Sequence, residues 1–162
     1  MKGNPSANDF TARGGWWVVA QLAMFAAAYL IPEWYGWSAP LAALDVIAWA
    51  GYALLVAGLL LFAAGAAALG RNLTPFPRPT ERAVLRTGGV YAWVRHPIYA
   101  SVLFMAMGWS LVNHSIAGLG FDVLLLVFFD RKSAREERWL AEKFSGYADY
   151  CRRVRKLIPG IY

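Results

Sequence analysis

LDVIAWAGYALLVAGLLLFAAGAAALG, residues 44–70, is a continuous apolar run whose one charged residue, Asp45, sits at its start. A helix needs about 20 consecutive apolar residues to cross a bilayer core. The run predicts a transmembrane helix and, with it, a protein organised by a membrane. Its small residues Gly58, Gly65 and Ala66 would let a neighbouring helix approach closely, as small residues do where lipid removes the hydrophobic drive for helix packing. A compact bundle is expected.

Working outward, GWWVVAQLAMFAAAYLI (15–31) predicts a second span, while PIYASVLFMAMGWSLV and the apolar stretch after it, 97–112 and 115–130, are shorter and separated only by Asn113 and His114. They suit a tight helical hairpin. Composition agrees: 59% of the 162 residues are hydrophobic and 16% charged, against about 25% charged in ordinary soluble domains. The expected fold class is an all-α integral membrane protein of about four transmembrane helices in a single domain. The net charge of +6 fits membrane borders better than nucleic acid, because the basic residues alternate with long apolar runs. Cys151 is the only cysteine, so no internal disulfide forms and no thiolate metal site is expected. The first residues, MKGNPSANDFTARGG, lack the apolar core and small-residue cleavage site of a signal peptide and read as a cytoplasmic tail (1–14).

All 16 Lys and Arg fall in three places: the N-terminal tail, the connection 71–96, and the segment 131–162. With four spans these lie on one side, whereas the connections PEWYGWSAP and NHS carry no Lys or Arg. The positive-inside rule therefore places both termini and the 71–96 connection in the cytoplasm, and the membrane expected is a bacterial or archaeal cell membrane. Trp16, Trp17, Trp34, Tyr35 and Trp37 stand near span ends, where amphipathic rings prefer to sit.

The two long cytoplasmic segments are too patterned to be linkers. Pro75, Pro77 and Pro79 forbid a continuing helix and favour extended backbone, before a turn at Thr87-Gly88-Gly89. Residues 131–144 have helical spacing, with Leu140 and Phe144 one turn apart. Gly146 stops that helix, and YADYCRRV forms a second short one with Tyr147, Tyr150 and Val154 on one side.

Three stretches, LTPFP, then TGGVYAWVRHPIYAS, then EERWL followed by GYADYCRRVRKLIPG, resemble the isoprenylcysteine carboxyl methyltransferase family and, more widely, the phospholipid methyltransferase-like membrane proteins. In that pattern G-x-Y-x-x-V-R-H-P-x-Y opens one helix of a hairpin and E-E-x-x-L with Y-x-x-Y follows the other. The resemblance covers roughly residues 70–162, and departs at Ser101, where many relatives carry glycine. It implies S-adenosylmethionine as methyl donor, held on the cytoplasmic side by the loop and C-terminal helices, a lipophilic or prenylated acceptor arriving from the membrane, and lipid as the surrounding partner. It also places the proline run over the donor.

The residues make sense of such a donor independently. No strand leads into a glycine-rich turn, so the site must be built from helix ends and loops. A carboxylate suits arginine or a helix start, an ammonium and ribose hydroxyls suit carboxylates, and a sulfonium suits aromatic faces. Tyr91, His96, Pro97, Tyr99, Glu136, Glu137 and Tyr147 are the candidates for holding the donor, and Arg95, Glu137 and Arg153 for the chemistry. Pro97 suits a first helical turn, which would hold Arg95 and His96 at the water boundary beside the helix's positive end. Arg95 or Arg153 would orient a carboxylate acceptor, which needs no base. An amine or thiol acceptor would need one, from His96 or Glu137.

Ordinary readings stand beside these. Arg95 and His96 would snorkel to headgroups; Glu136 and Glu137 would pair with arginines along their own helix; Tyr147 and Tyr150 would anchor at the interface; Arg152 to Lys156 would hold anionic lipid. Asp122, an acid within an apolar run, is either functional or hydrogen-bonded between helices, His114 being one partner. A non-catalytic transport or assembly protein using the same hairpin is the alternative class, and a sterol-reductase-like protein a third.

Overall fold

The computed structural model describes residues 10–30, 41–70, 73–79 and 83–162. The expectations for Lys2, Trp34, Tyr35, Trp37 and the connection around them lie outside these residues. Among the described residues the fold is all helical with no strand: α1 (Gly15–Leu30), α2 (Leu41–Leu69), α3 (Pro97–Val112), α4 (Ile116–Lys143) and α5 (Tyr147–Arg153), with a single 3-10 turn at Gly89–Ala92 before α3. One of these helices, α2, is long and apolar enough over Val46–Leu69 to cross a membrane; Gly15–Ala27 and Pro97–Val112 are shorter apolar helices.

The small residues of α2 do what their spacing suggests. Gly51, Gly58 and Gly65 recur every seven residues, which keeps them on one face of the helix. A Cβ at Gly51 would lie 2.8 Å from the carbonyl oxygen of Gly108, one at Gly58 2.9 Å from that of Ser101, and one at Gly65 3.0 Å from Ile98. Those partners run backwards along α3, so α2 and α3 are antiparallel and nearly in backbone contact. Gly108 reciprocates, its own Cβ position lying 2.7 Å from the Gly51 carbonyl. Ser101 fits without glycine because it is fully buried with its hydroxyl donating to the Ile98 carbonyl at 2.7 Å, while Gly58 yields the space.

The hairpin between α3 and α4 closes in three residues. His114 takes a positive φ of 51°, and Ser115 caps α4, its hydroxyl accepting from the Gly118 amide at 2.9 Å. Asp122, buried on α4, has the Ser110 hydroxyl of α3 as a hydrogen-bonding neighbour, in keeping with the helix-to-helix reading.

The expected division between a span ending at 130 and a separate helix from 131 is corrected. Helix α4 runs unbroken through 28 residues, about 42 Å at 1.5 Å per residue. Residues 121–143 contain neither Gly nor Pro, so nothing ends the helix where its surface turns from apolar to charged. It stops at Phe144, short of Gly146, which becomes the N-cap of α5. As expected, α5 turns Tyr147, Tyr150 and Val154 inward, and Leu85, Leu140, Phe144 and Cys151 pack against them. The chain after α5 then lies beside residues 94–96: the amides of Arg95 and His96 donate to the carbonyls of Arg155 and Lys156 at 2.8 and 3.1 Å.

Candidate active site

Helix α4 presents one stripe of residues, Phe129, Lys132, Ser133, Glu136, Glu137 and Leu140, at the spacings that keep helical positions on a common face. Facing it is the start of α3, where Pro97 occupies the first turn and His96 the N-cap. Backbone pairing with residues 155 and 156 fixes Arg95 and His96 before their side chains form any contact. The two motifs meet there.

Arg95 donates from Nε to Glu137 Oε1 at 2.9 Å and from Nη1 to the carbonyls of Cys151 and Val154 at 3.0 and 2.5 Å. His96 Nε2 lies 3.0 Å from the same Glu137 oxygen, and its Nδ1 3.9 Å from Glu136 Oε2. The Tyr99 hydroxyl donates to Glu136 Oε2 at 2.8 Å. The His96 and Tyr99 rings stack at 5.4 Å, and Tyr99 stacks on Phe129 at 4.9 Å. The two glutamates thus bind across to α3 and its approach, not along their own helix.

Their electrostatics differ although they are neighbours. Burial raises Glu136 above the usual carboxylate range, and the nearby His96, Tyr99 and Lys132 only partly offset it. Burial also pushes Glu137 upward, but His96 and Arg95 together outweigh it and hold Glu137 below its ordinary value. Glu137 is a committed anion that organises Arg95 and His96. Glu136 keeps 26% of its side chain exposed, facing a cleft.

That cleft takes in about 880 Å³ of empty space when the solvent open at its mouth is included. Its polar lining comprises Tyr91, Arg95, His96, Tyr99, Glu136 and Tyr147. Apolar residues line it too: Leu69 at the end of α2, Ile98 at the start of α3, Leu73, Phe76 and Pro77 from the proline run, and Leu140 from α4. Tyr91 is positioned through its carbonyl, which accepts from the Tyr150 hydroxyl at 2.6 Å. The Tyr147 hydroxyl is buried with no oxygen or nitrogen partner among the described residues. Burial at 2% and 3% rules out an interfacial anchoring role for Tyr147 and Tyr150.

Of the residues expected from sequence, Tyr91, Arg95, His96, Pro97, Tyr99, Glu136 and Tyr147 line this cleft; Glu137 stands behind Arg95 and His96. Arg153 is not brought in: it is exposed, with Nε 3.4 Å from the Asp149 carbonyl of its own helix. The fold turns Arg153 away because α5 points Tyr150 and Val154 inward. Lys156, expected to hold lipid with its neighbours, instead pairs with Asp130, which also accepts from the Tyr162 hydroxyl at 2.7 Å. Sequence reasoning missed Lys132, whose side chain is fully enclosed and whose ammonium burial pulls down to about 8. Its place in the α4 stripe was the available signal.

Residues 46–146, more than half of the chain, match the family model described as phospholipid methyltransferase. The protein-S-isoprenylcysteine O-methyltransferase of Schizosaccharomyces pombe is 35% identical over 78 residues, 47% of this chain and 33% of that protein. The Delta(14)-sterol reductase of Mus musculus is 34% identical over 99 residues, 56% of this chain and 22% of that protein. The solved structure of the eukaryotic intramembrane Ras methyltransferase, isoprenylcysteine carboxyl methyltransferase, superposes with a TM-score of 0.65 at 23% identity, covering 98% of this chain and 55% of that one. This last likeness is one of fold. The chain spans about a third to three-fifths of the length of the methyltransferase relatives it matches. The relatives named here are eukaryotic, which lends no support to the expected bacterial or archaeal membrane. The α2 to α4 core and the meeting of the V-R-H-P and E-E motifs fall within the matched region, and the chain belongs to the phospholipid methyltransferase family.

Proposed function

We propose that this protein is a membrane methyltransferase that takes its methyl group from S-adenosylmethionine and delivers it to a lipophilic acceptor, most closely in the manner of an isoprenylcysteine carboxyl O-methyltransferase. The observation that carries this reading is one cleft lined both by the ion-paired and aromatic groups of the two motifs and by apolar residues at the termini of α2 and α3. The names of the methyltransferase relatives support it.

The residues present suit the donor. Glu136 is a largely buried carboxylate, about a quarter exposed, whose ionisation burial disfavours, so a cationic group in the cleft would restore it. Tyr91 and Phe76 are aromatic lining residues suited to a sulfonium, and the Tyr147 hydroxyl has hydrogen-bonding capacity to spare. When bound, the donor supplies an electrophilic methyl group. The chain aligns the acceptor and excludes water, which supplies most of the acceleration for an in-line transfer. Glu137 fixes Arg95 and His96, and Arg95 Nη2, for which no hydrogen bond is seen among the described residues, would orient an anionic acceptor. A carboxylate acceptor needs no base. For an amine or thiol, Glu136 takes the proton more readily than Glu137, because its affinity for protons is raised while Glu137 is held ionised by two partners.

We read α1, α2, α3 and the apolar first half of α4 as four spans, with the cleft and both termini on the cytoplasmic side, because every Lys and Arg falls in segments that this arrangement brings to one face. A reductase reading is favoured by one observation, the similarity to the sterol reductase.

The test is transfer from methyl-labelled donor, by detergent-purified protein, to an S-prenylated cysteine, phosphatidylethanolamine and a lipophilic thiol, with nicotinamide binding measured in parallel. Label is expected in one acceptor class, reduced at least roughly 100-fold in His96→Ala. Nicotinamide binding without transfer to any class would replace this reading by the reductase one.

A further inference from the structure

Lys132 is a lysine with no solvent exposure at all, an arrangement that is costly unless each ammonium proton finds a partner. It has three donors to place. One meets Gln21 Oε1 on α1, one the Pro75 carbonyl at 3.2 Å, and the ammonium lies 5.1 Å from the centre of the Tyr99 ring. Lys132 precedes Glu136 by one helical turn, so a single side chain touches α1, the proline run, a ring of the cleft and the helix that carries both glutamates.

The Pro75 contact matters most. Residues 73–79 form a wall of the cleft that Glu136 also lines, through Leu73, Thr74, Phe76, Pro77 and Pro79. Proline lacks an amide proton, and the local bonds described for this run are two, Phe76 N–H to Thr74 Oγ1 at 3.3 Å and Leu73 N–H to the Gly70 carbonyl at 3.1 Å, so the wall leans on attachments to other elements. Toward the N-terminus, Arg13 lies over the Phe76 ring at 4.1 Å and Arg78 donates to the Ala12 carbonyl at 3.3 Å. Toward α4, Lys132 supplies the hydrogen bond seen among the described residues, while Trp139, Glu142 and Lys143 border Arg78 and Pro79.

We propose that Lys132 is a positioning residue that clamps the proline-rich wall to α4 and so sets the width of the cleft. It touches neither donor nor acceptor; it acts through Pro75 and Tyr99. This rests on the methyltransferase reading only for the ligand that fills the cleft. The clamp itself is a property of the fold.

The test uses the full chain in detergent with Lys132→Met, Lys132→Arg and wild type, following hydrogen exchange of the amides at 73, 74, 76 and 78 together with S-adenosylmethionine affinity. In K132M, loss of a charged hydrogen bond is expected to speed exchange across 73–79 on the order of tenfold and to weaken donor binding roughly tenfold. K132R, which keeps the charge and reach, is expected within about threefold of wild type on both. A folded K132M with wild-type exchange across 73–79 overturns the proposal. If K132M does not fold, Lys132→Gln replaces it: intermediate exchange supports the clamp, and wild-type exchange overturns it. Failure of the wild type to bind donor refutes the methyltransferase reading, and the exchange result then decides the clamp alone.

Discussion

Arg95 and Glu137 are 42 positions apart in sequence and 2.9 Å apart in space, and most of the site follows from that contact. Removing one partner of a buried ion pair leaves the other uncompensated, so Glu137→Ala is expected to cost on the order of 3 kcal/mol, read as a lowered thermal midpoint in detergent. The pH dependence has a definite sign. Glu137 is held below its ordinary value of 4.5, so its contribution to stability is present above that pH and lost as pH falls through the depressed value. Wild-type protein should lose stability below about pH 4.5 more steeply than Glu137→Gln, and parallel profiles would contradict the assignment. Arg153→Ala should leave the thermal midpoint unchanged within about 0.5 kcal/mol. The sequence made Arg95, His96 and the glutamates legible because two unusual charged pairs stood at the ends of apolar runs. It misled at Arg153, which is adjacent to site residues along the chain yet off the inward face of α5, and it hid Lys132 in a basic run that reads as solvated until its phase with Phe129 and Glu136 is considered.

The elements owe their arrangement to small residues as much as to apolar ones. Gly58→Leu would push a side chain into the Ser101 carbonyl and Met105, parting α2 from α3 at a cost of about 1–3 kcal/mol. Gly120, with nothing within 4 Å of its Cβ position and no positive φ, should accept alanine with a gain of up to about 1 kcal/mol from helix propensity. Opposite shifts in thermal midpoint for G58L and G120A would support this packing, and equal ones would refute it. The close approach of α2 was readable from Gly58 and Gly65, but Gly51 shows its role only once Gly108 is seen across from it. The missing break in α4 was harder: the change from FF to DRK marks a change of surroundings, not of backbone, since no residue there opposes helix. Register between α3 and α4 follows from the short hairpin, and that register brings Tyr99 to Glu136.

At the scale of the whole molecule, an apolar bundle carries a charged cap in which the 73–79 wall, the start of α3, the charged end of α4 and the C-terminal segment converge on one cleft. If the cap is cytoplasmic, trypsin should cleave at the exposed Arg152 and Arg153 only in sealed vesicles whose cytoplasmic face is outward; cleavage in the opposite orientation would reverse the topology. The all-helical class was legible from hydropathy; the side that carries the site is what the basic residues lead us to propose. Contacts such as Val94 beside Arg155 were not, because no periodicity records where an irregular tail returns. The central claim is that the cleft holds a cationic methyl donor against Glu136, beside an Arg95 and His96 fixed by Glu137. Calorimetric titration of the detergent-purified protein with S-adenosylmethionine, beside folded His96→Ala and Glu136→Gln, tests it most directly. The account predicts saturable binding at about one donor per chain, weakened at least roughly tenfold in both variants, which corresponds to about 1.4 kcal/mol; folded wild-type protein that takes up no donor would contradict it.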